Sequence, residues 1–299
     1  MKRLIHGVLL LDKPLGWSSN HAVQKIKRLY QATKVGHTGT LDPLATGMLA
    51  LCLGEATKFG QCLLDADKQY QAIVQLGQTT TTGDSEGEVL VSQAVPLLTD
   101  EQLMAIAAQF TGQLQQIPPM FSALKVNGQA LYQLARLGQE IPRAARAITI
   151  YALSLTCLNA SQLSLSVHCT KGTYIRTLAE DIGAALGCGA HLIALKRTAI
   201  AALPATAVLT YDQLADLSLV QLDEQLLPID SCVAPLVRLD LAADEAKRLL
   251  WGQTVQLAIP EQAGMRKLYD EKNQFLGLAK WCDSGQLIPQ RLINPALLC

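Results

Sequence analysis

A single aspartate, Asp42, lies in a stretch of small and apolar residues that runs from Thr33 to Leu49 (TKVGHTGTLDPLATGML). A carboxylate in such surroundings could serve as a nucleophile or as a base, provided that it stays ionised. It could equally cap a helix, since Asp before Pro43 is a common helix start. Gly47 would limit that helix to a turn, and proline favours an extended backbone at the residue before it. Local rules leave both interpretations open.

A second stretch that could supply catalytic or binding groups runs from Leu163 to Asp181 (LSLSVHCTKGTYIRTLAED). Apolar and polar residues alternate along its beginning, which predicts a strand with one face toward the core. If this strand continued, Tyr174 and Arg176 would point the same way from its polar face. The pair could be an ordinary exposed strand end, or it could supply a flat ring and a fixed cation to the floor of a cleft.

The elements that must position these residues follow from the spacing of apolar residues. Thr99 and Gln102 form the pattern of a capping box, which marks a helix start. The short segments after residue 233 are separated by turn signals and predict a compact β-rich unit. Helices are predicted at about 19–30, 99–110, 129–137, 177–186, 191–196 and 242–251, and strands at about 8–11, 49–53, 69–76, 148–158, 163–170, 265–269, 275–281 and 287–293.

The composition indicates a large core and argues against several classes of protein. The chain has 299 residues, 49% of them hydrophobic, which suits one large domain and a smaller one. No apolar run reaches the roughly 18 residues of a membrane span. The apolar start is stopped by Asp12, Lys13 and Pro14, too early for a signal peptide, so we expect a cytoplasmic protein. Eight cysteines without a C-x-x-C pair predict buried reduced thiols rather than a metal site.

Charge is unevenly distributed although the formal net charge is zero. Residues 1–70 and 120–200 carry an excess of Lys and Arg, whereas residues 205–250 carry an excess of Asp and Glu. A basic face is therefore compatible with the composition. Lys25, Lys27 and Arg28 fall on the polar side of the first predicted helix, where they could face solvent or a polyanion.

Five blocks of the sequence, in order, resemble the TruB family of bacterial tRNA pseudouridine synthases, and they cover most of residues 7–200. The resemblance implies an α+β fold, with a mixed, mostly antiparallel central sheet and flanking helices. It also implies a catalytic domain at residues 1–232 and a small PUA-like RNA-binding domain at residues 233–299. The blocks are GVLLLDKPLGWSSN, KVGHTGTLDPLATGMLALCLGEATK, DKQYQAIVQLGQTTTTGD, IPPMFSALKVNGQALYQLAR and HCTKGTYIRTLAEDIGAALGCGAHLIALKR.

The resemblance also implies roles for individual residues. Asp42 in GTLDPLATG matches the catalytic aspartate of the family, and Arg176 in KGTYIRT matches the arginine paired with it. The residues that match the family's substrate-binding positions are His37 near the extruded nucleotide, Tyr70 stacking on the target base, Tyr174 as a second pocket tyrosine, Leu195 as an apolar wall, and Lys13 near the pocket.

The implied reaction converts uridine 55 in the T-arm loop of tRNA to pseudouridine by flipping the base, cleaving its glycosidic bond and rejoining it through C5. Such an isomerisation needs no cofactor and no metal. The implied partner is the T-arm stem-loop of tRNA, with no membrane, no obligatory protein partner and a monomeric enzyme. Two rivals are an RNA-binding folding factor in which Asp42 is a cap, and a deaminase or glycosylase. The zinc-deaminase motif is absent, and hydrolysis would release free uracil.

Overall fold

The structure is a computed structural model that describes residues 2–126, 128–257 and 263–297. The first strands are β1 (Gly7–Lys13), β2 (Val35–His37), β3 (Ala45–Leu53), β4 (Lys68–Leu76), β5 (Gln78–Thr80), β6 (Val89–Ser92), β7 (Gly112–Gln116), β8 (Lys125–Val126) and β9 (Gln129–Ala130). The later strands are β10 (Arg146–Asn159), β11 (Gln162–Cys169), β12 (Ala190–Ile200), β13 (Leu209–Thr210), β14 (Val237–Asp240), β15 (Val255–Gln256), β16 (Gly264–Tyr269), β17 (Phe275–Trp281) and β18 (Gln286–Leu292). The α-helices are α1 (Ser19–Leu29), α2 (Gly60–Leu64), α3 (Asp100–Gln109), α4 (Leu131–Arg136), α5 (Ile175–Ala185), α6 (Tyr211–Ala215), α7 (Leu219–Glu224) and α8 (Ala243–Leu250).

The large sheet has the strand order β13-β1-β3-β12-β4-β11-β10-β7, with β2 paired to β3 beside this path. Strand β12 lies in the middle, parallel to β3 and antiparallel to β4. The other pairs are antiparallel except β1 with β13. The predicted α+β fold, with its mixed and mostly antiparallel sheet and a β-rich C-terminal part, is confirmed.

Strands β1 and β3 are buried on both faces, which explains their continuous apolar sequences. Leu10 packs in one core cluster with Phe59, whereas its neighbours Leu9 and Leu11 pack in a second cluster with Ile26 of α1. Because side chains alternate along each strand, neighbouring residues pack into two separate hydrophobic cores. None of the described helices combines the length and the apolar character that a membrane span requires.

Two predictions about secondary structure were wrong. Strand β11 ends at Cys169, and the chain turns through Gly172, whose φ of +80° suits glycine, before α5 begins at Ile175. Arg176 therefore belongs to the first turn of a helix and not to the polar face of a strand. The segment around Leu195, predicted as a helix, is part of strand β12. Its apolar run fits either structure by pattern alone, and two register shifts against β4 disturb the alternation that would have indicated a strand.

The C-terminal strands form a separate sheet of order β14-β16-β17-β18-β15, with α8 packed on its core. The strands predicted at 265–269, 275–281 and 287–293 agree with it to within one residue. This sheet also shares a core with the large one, because Leu278 and Ile293 join the cluster that contains Phe59. Phe59 and Phe275 meet edge to face with ring centroids 5.2 Å apart. The domain boundary after residue 232 remains a prediction.

We expect Phe59→Ala to lower the free energy of unfolding by about 3–5 kcal/mol, since the ring is 1% exposed and its loss would leave a cavity between the two sheets. The matched control is Trp251→Ala, because that ring is 69% exposed and its removal should cost less than about 1 kcal/mol. Urea unfolding followed by circular dichroism measures both values. Equal losses in the two variants would contradict the shared core.

Candidate active site

Asp42 lies in the loop between β2 and β3, and no helix begins at it. Its backbone carbonyl accepts a hydrogen bond from the Ala45 N–H at 3.0 Å, which closes a turn that leads directly into β3. The side chain is 40% exposed, and Oδ2 lies 3.0 Å from Nη2 of Arg176. The helix-cap interpretation of Asp42 is therefore wrong. The carboxylate is accessible to solvent and lies beside the guanidinium of Arg176.

Arg176 is 6% exposed and is held by three segments of the chain, the loops around Asp42, Asp84 and Phe121. Nη1 donates to the Thr82 carbonyl at 3.0 Å, and Nη2 donates to the Phe121 carbonyl at 2.5 Å. Nε lies 3.6 Å from Oδ2 of Asp84. Because its planar fork is occupied on several sides, the guanidinium is fixed before any ligand arrives.

Asp84 is a part of this site that the sequence analysis missed. It is 3% exposed, and its Oδ1 accepts hydrogen bonds from the Thr82 hydroxyl at 2.5 Å and from the Glu86 N–H at 3.1 Å. Asp42 and Asp84 thus share one guanidinium. A lone Asp in a polar loop is common in turns, so its sequence alone gave no signal.

Tyr70, Leu195 and Tyr174 line a cleft of about 280 Å³ that has Asp42 and Arg176 on its wall. Tyr70 comes from β4, Leu195 from the neighbouring β12, and Tyr174 from the residue that precedes α5. Gln116 fixes the backbone of Tyr174 on both sides, with hydrogen bonds of 2.8 and 3.0 Å. Burial raises the pKa of the Tyr70 phenol, so it stays protonated at neutral pH. The cleft lies at the lower end of the size range of small-molecule pockets.

His37 lies in a second cleft, of about 510 Å³, which also contains Asp42, Tyr132 and Arg136. Burial, together with the charge of Arg197, lowers the pKa of the His37 imidazole, so the ring is neutral at neutral pH. Its Nδ1 accepts a hydrogen bond from the Gly39 N–H at 3.3 Å, which leaves the proton on Nε2. Since both clefts include Asp42, this carboxylate stands where they meet.

Lys13 is fully buried at the end of β1 and anchors the following turn. Its ammonium donates to the Trp17 carbonyl at 2.6 Å and to the Pro14 carbonyl at 3.0 Å. Burial lowers the pKa of Lys13 to about 8, and the charge of Asp42 opposes this shift. The structure therefore places Lys13 beneath the loop of Asp42, outside the lining of both clefts.

Two further buried cations line the smaller cleft, and the sequence analysis missed both. The ammonium of Lys68 donates to three backbone carbonyls, those of Leu63, Leu64 and Ala66. Burial lowers the pKa of Lys68 to about 8. Arg197, on β12, is 2% exposed and donates to the carbonyls of Met48 and Gly39. Basic residues after an apolar run are ordinarily surface residues, so neither was a candidate by pattern.

In the part of the chain that the structure describes, no three His, Cys, Asp or Glu side chains lie close enough together to hold a metal ion. The expected reduced thiols are present at seven cysteines, of which Cys157 is exposed and Cys62 and Cys282 are half-buried, so their predicted burial holds only in part. The eighth cysteine, Cys299, lies outside the described residues.

Comparisons with known proteins cover nearly the whole chain. Residues 27–175 match the family model of the TruB family pseudouridylate synthase N-terminal domain. Residues 176–234 match the tRNA pseudouridylate synthase B C-terminal domain, and residues 238–293 match the C-terminal domain of pseudouridine synthase II TruB. The chain is 52% identical to tRNA pseudouridine synthase B of Methylobacillus flagellatus, over 99% of this chain and 98% of the relative. It is 49% identical to the enzyme of the same name from Mannheimia succiniciproducens, over 98% and 97%.

Solved structures with a similar fold include a Cbf5-Nop10-Gar1 complex, with a TM-score of 0.71, 25% identity, and coverage of 92% of this chain and 78% of the matched chain. An H/ACA RNP bound to a substrate RNA containing 2′-deoxyuridine matches with a TM-score of 0.73 over 96% and 84%. Its sequence identity is 22%, so this second likeness concerns the fold alone.

Proposed function

Because the chain belongs to the TruB family and is a tRNA pseudouridine synthase, we propose that it acts on uridine 55 in the T-arm loop, with Asp42 as the reacting carboxylate. The observation that carries the proposal is the position of Asp42. It is an accessible carboxylate, 3.0 Å from a fixed guanidinium, at the junction of two clefts. We further propose that the enzyme works in the cytoplasm as a monomer without an obligatory protein partner.

The reaction breaks the bond between N1 of uracil and C1′ of the ribose and forms a bond between C5 and C1′. A proton leaves C5, and N1 gains one, so atoms and electrons balance without an external reactant. Asp42 could attack C1′, attack C6, or remove a proton from the sugar, and each route requires the ionised carboxylate. Arg176 at 3.0 Å favours that ionised form, because an adjacent cation stabilises a negative charge.

Asp84 prepares Arg176 for this task. The guanidinium contacts Asp84 through Nε and two backbone carbonyls through its terminal nitrogens, and Nη2 also reaches Asp42. The positive charge is thereby preorganised beside the reacting carboxylate and needs no rearrangement during the reaction. A fixed partner also holds Asp42 in one orientation toward the sugar.

The target base must leave the RNA stack to reach Asp42, at a cost of a few kcal/mol. In our proposal the smaller cleft receives it, with the Tyr70 ring stacking on the base and Leu195 forming an apolar wall. We propose that the larger cleft holds the RNA backbone next to the target nucleotide. His37 lines this cleft, and we propose that it lies near the position that the base vacates. Arg136 lies over the Tyr132 ring of the same cleft, with its guanidinium carbon 5.5 Å from the centroid.

Helix α1 carries basic residues on its polar side, as a surface that binds a polyanion would. Lys25 lies over the Trp17 and Tyr211 rings at 5.7 and 5.8 Å, so these rings hold its charge at the protein surface. Arg28 is exposed, and Lys27 is half-buried on the same helix. We propose that these residues contact RNA phosphates, which would make affinity fall as salt rises.

The decisive experiment is product analysis on an unmodified T-arm hairpin with one labelled uridine at the target position. We expect the labelled nucleoside to become pseudouridine, with no free uracil and no change at the other uridines. A hairpin with cytidine at the target position is the control and should give no product. Free uracil would identify a glycosylase, and binding with no product would identify an RNA-folding factor. Pseudouridine at another position would overturn the proposed specificity.

A further inference from the structure

Arg197 lines the smaller cleft, and its side chain is almost fully buried, at 2% exposure. Among the residues that the structure describes, it forms no ion pair with a carboxylate. Burying a cation without a counter-ion is costly unless hydrogen bonds compensate it. The hydrogen bonds of the guanidinium therefore have to compensate the cost of burying this charge.

The backbone of Arg197 sits between the two strands that build the cleft. In the sheet register it lies opposite Gly47 of β3 on one side and opposite Tyr70 of β4 on the other. Gly47 has a φ of +94°, and a Cβ there would lie 2.3 Å from the Arg197 carbonyl oxygen. Only a glycine allows β3 to approach so closely, so the backbone of Arg197 has a fixed place.

The side chain of Arg197 connects three separate segments. Nε donates to the Met48 carbonyl of β3 at 2.7 Å, and Nη2 donates to the Gly39 carbonyl at 3.2 Å, three residues before Asp42. Tyr70 lies opposite Arg197 in the sheet register, and both residues line the smaller cleft, so the guanidinium lies on the same side of the sheet as the Tyr70 ring. One rigid group thus binds the strand after the reacting carboxylate and the loop that carries this carboxylate, and it neighbours the ring proposed to hold the base.

The electrostatic surroundings agree with this position. The charge of Arg197 lowers the pKa of His37, Lys13 and Lys68, and at Tyr70 it opposes the larger effect of burial. The guanidinium is therefore close to these four titratable groups. A lysine would supply the same charge but lacks the planar fork that reaches the Met48 and Gly39 carbonyls at once.

We infer that Arg197 is a positioning residue, which fixes the Tyr70 phenol and the loop of Asp42 relative to each other and so sets the distance between the stacked base and the reacting carboxylate. The inference rests on the proposed function, since it takes Tyr70 as the residue that stacks on the target base and Asp42 as the reacting carboxylate. In this role Arg197 contacts neither the target base nor the Asp42 carboxylate. Its effect should therefore appear in kcat and should depend on the Tyr70 hydroxyl.

A double-mutant cycle tests this dependence, with wild type, Arg197→Lys, Tyr70→Phe and the double variant. We expect Arg197→Lys to lower kcat on the T-arm hairpin by about 100-fold, because misplacement of reacting groups by about 1 Å has an effect of that size. In the Tyr70→Phe background the same substitution should lower kcat less than about fivefold, since the hydroxyl that Arg197 is inferred to position is already gone. The Kd for the hairpin should change less than about threefold in Arg197→Lys. Equal factors in the two backgrounds, or a loss of affinity that parallels the loss of kcat, would overturn the inference.

Arg266→Lys is the matched control, because Arg266 is also buried, at 6% exposure, but lies in the C-terminal sheet. Arg266→Lys should lower stability without lowering kcat.

If Arg197→Lys does not fold, ¹⁵N-arginine spectra of wild type and Tyr70→Phe decide instead. The guanidinium signals of Arg197 should shift when the hydroxyl is removed, and unchanged signals would overturn the inference. A wild-type enzyme that forms no pseudouridine would defeat the proposed function, whereas additive losses in an active enzyme would defeat this inference alone.

Discussion

Asp42→Asn is expected to abolish pseudouridine formation while RNA binding stays nearly intact. The substitution keeps the size of the side chain and removes the charge that every considered route requires. Loss of a reacting nucleophile or base typically lowers kcat by about 10⁴-fold or more. The measurement is single-turnover conversion of the labelled hairpin, together with the Kd for the same RNA.

The structure indicates that this variant folds. Asp42 is 40% exposed, and after its charge is removed Arg176 still has Asp84 and two carbonyl acceptors. Asp283→Asn, at an exposed turn of the C-terminal sheet, is the matched control and should retain full activity. Substantial turnover by Asp42→Asn would exclude Asp42 as nucleophile or base.

Arg176→Lys is expected to lower kcat by about 100-fold or more, with little change in RNA affinity. A lysine keeps the positive charge but cannot reach Asp42, Asp84 and two carbonyls together, because it lacks the planar fork. The orientation of Asp42 toward the sugar would be lost, and orientation alone can contribute several kcal/mol to a barrier. The measurements are kcat and Kd on the hairpin over a range of salt concentrations.

The salt series separates two roles of Arg176. If the guanidinium gripped an RNA phosphate, Arg176→Lys would weaken binding and reduce the slope of log K against log salt by about one. We expect the slope to stay unchanged, since the side chain is 6% exposed and already occupied by protein acceptors. Arg238→Lys, at an exposed ion pair in the C-terminal sheet, serves as the control for a conservative change far from the cleft.

The predictions from sequence succeeded where the periodicity was strong and local. Strand β17 has the predicted bounds, Phe275–Trp281, because turn residues flank it. The capping box of α3 forms as expected, with Thr99 and Gln102 bonded reciprocally. The continuation of β11 through Arg176 failed because Gly172 allows the chain to turn, a choice that alternation cannot reveal.

The site itself could be predicted only through the resemblance, for a physical reason. Arg176 binds Thr82 and Phe121, which are 94 and 55 residues away along the chain. Asp84 and Arg197 acquire their roles only from such distant contacts, and no local pattern distinguishes them from surface residues. The family motifs supplied the residues that we propose to face the substrate, and they did not reveal Asp84 or Arg197, which hold the surrounding groups.

The central place of β12 has a consequence for how the chain matures on the ribosome. Residues 7–53 supply most of one half of the large sheet and residues 68–169 supply the other half. In the part of the chain that the structure describes, the strand pairing that joins the two halves runs through residues 190–200. Until that segment emerges from the exit tunnel, β3 and β4 present unpaired edges, which are sites of aggregation. The late closure also means a high contact order and slow folding. Demand for chaperones during synthesis should therefore peak shortly before residue 200 leaves the tunnel and fall once β12 is inserted.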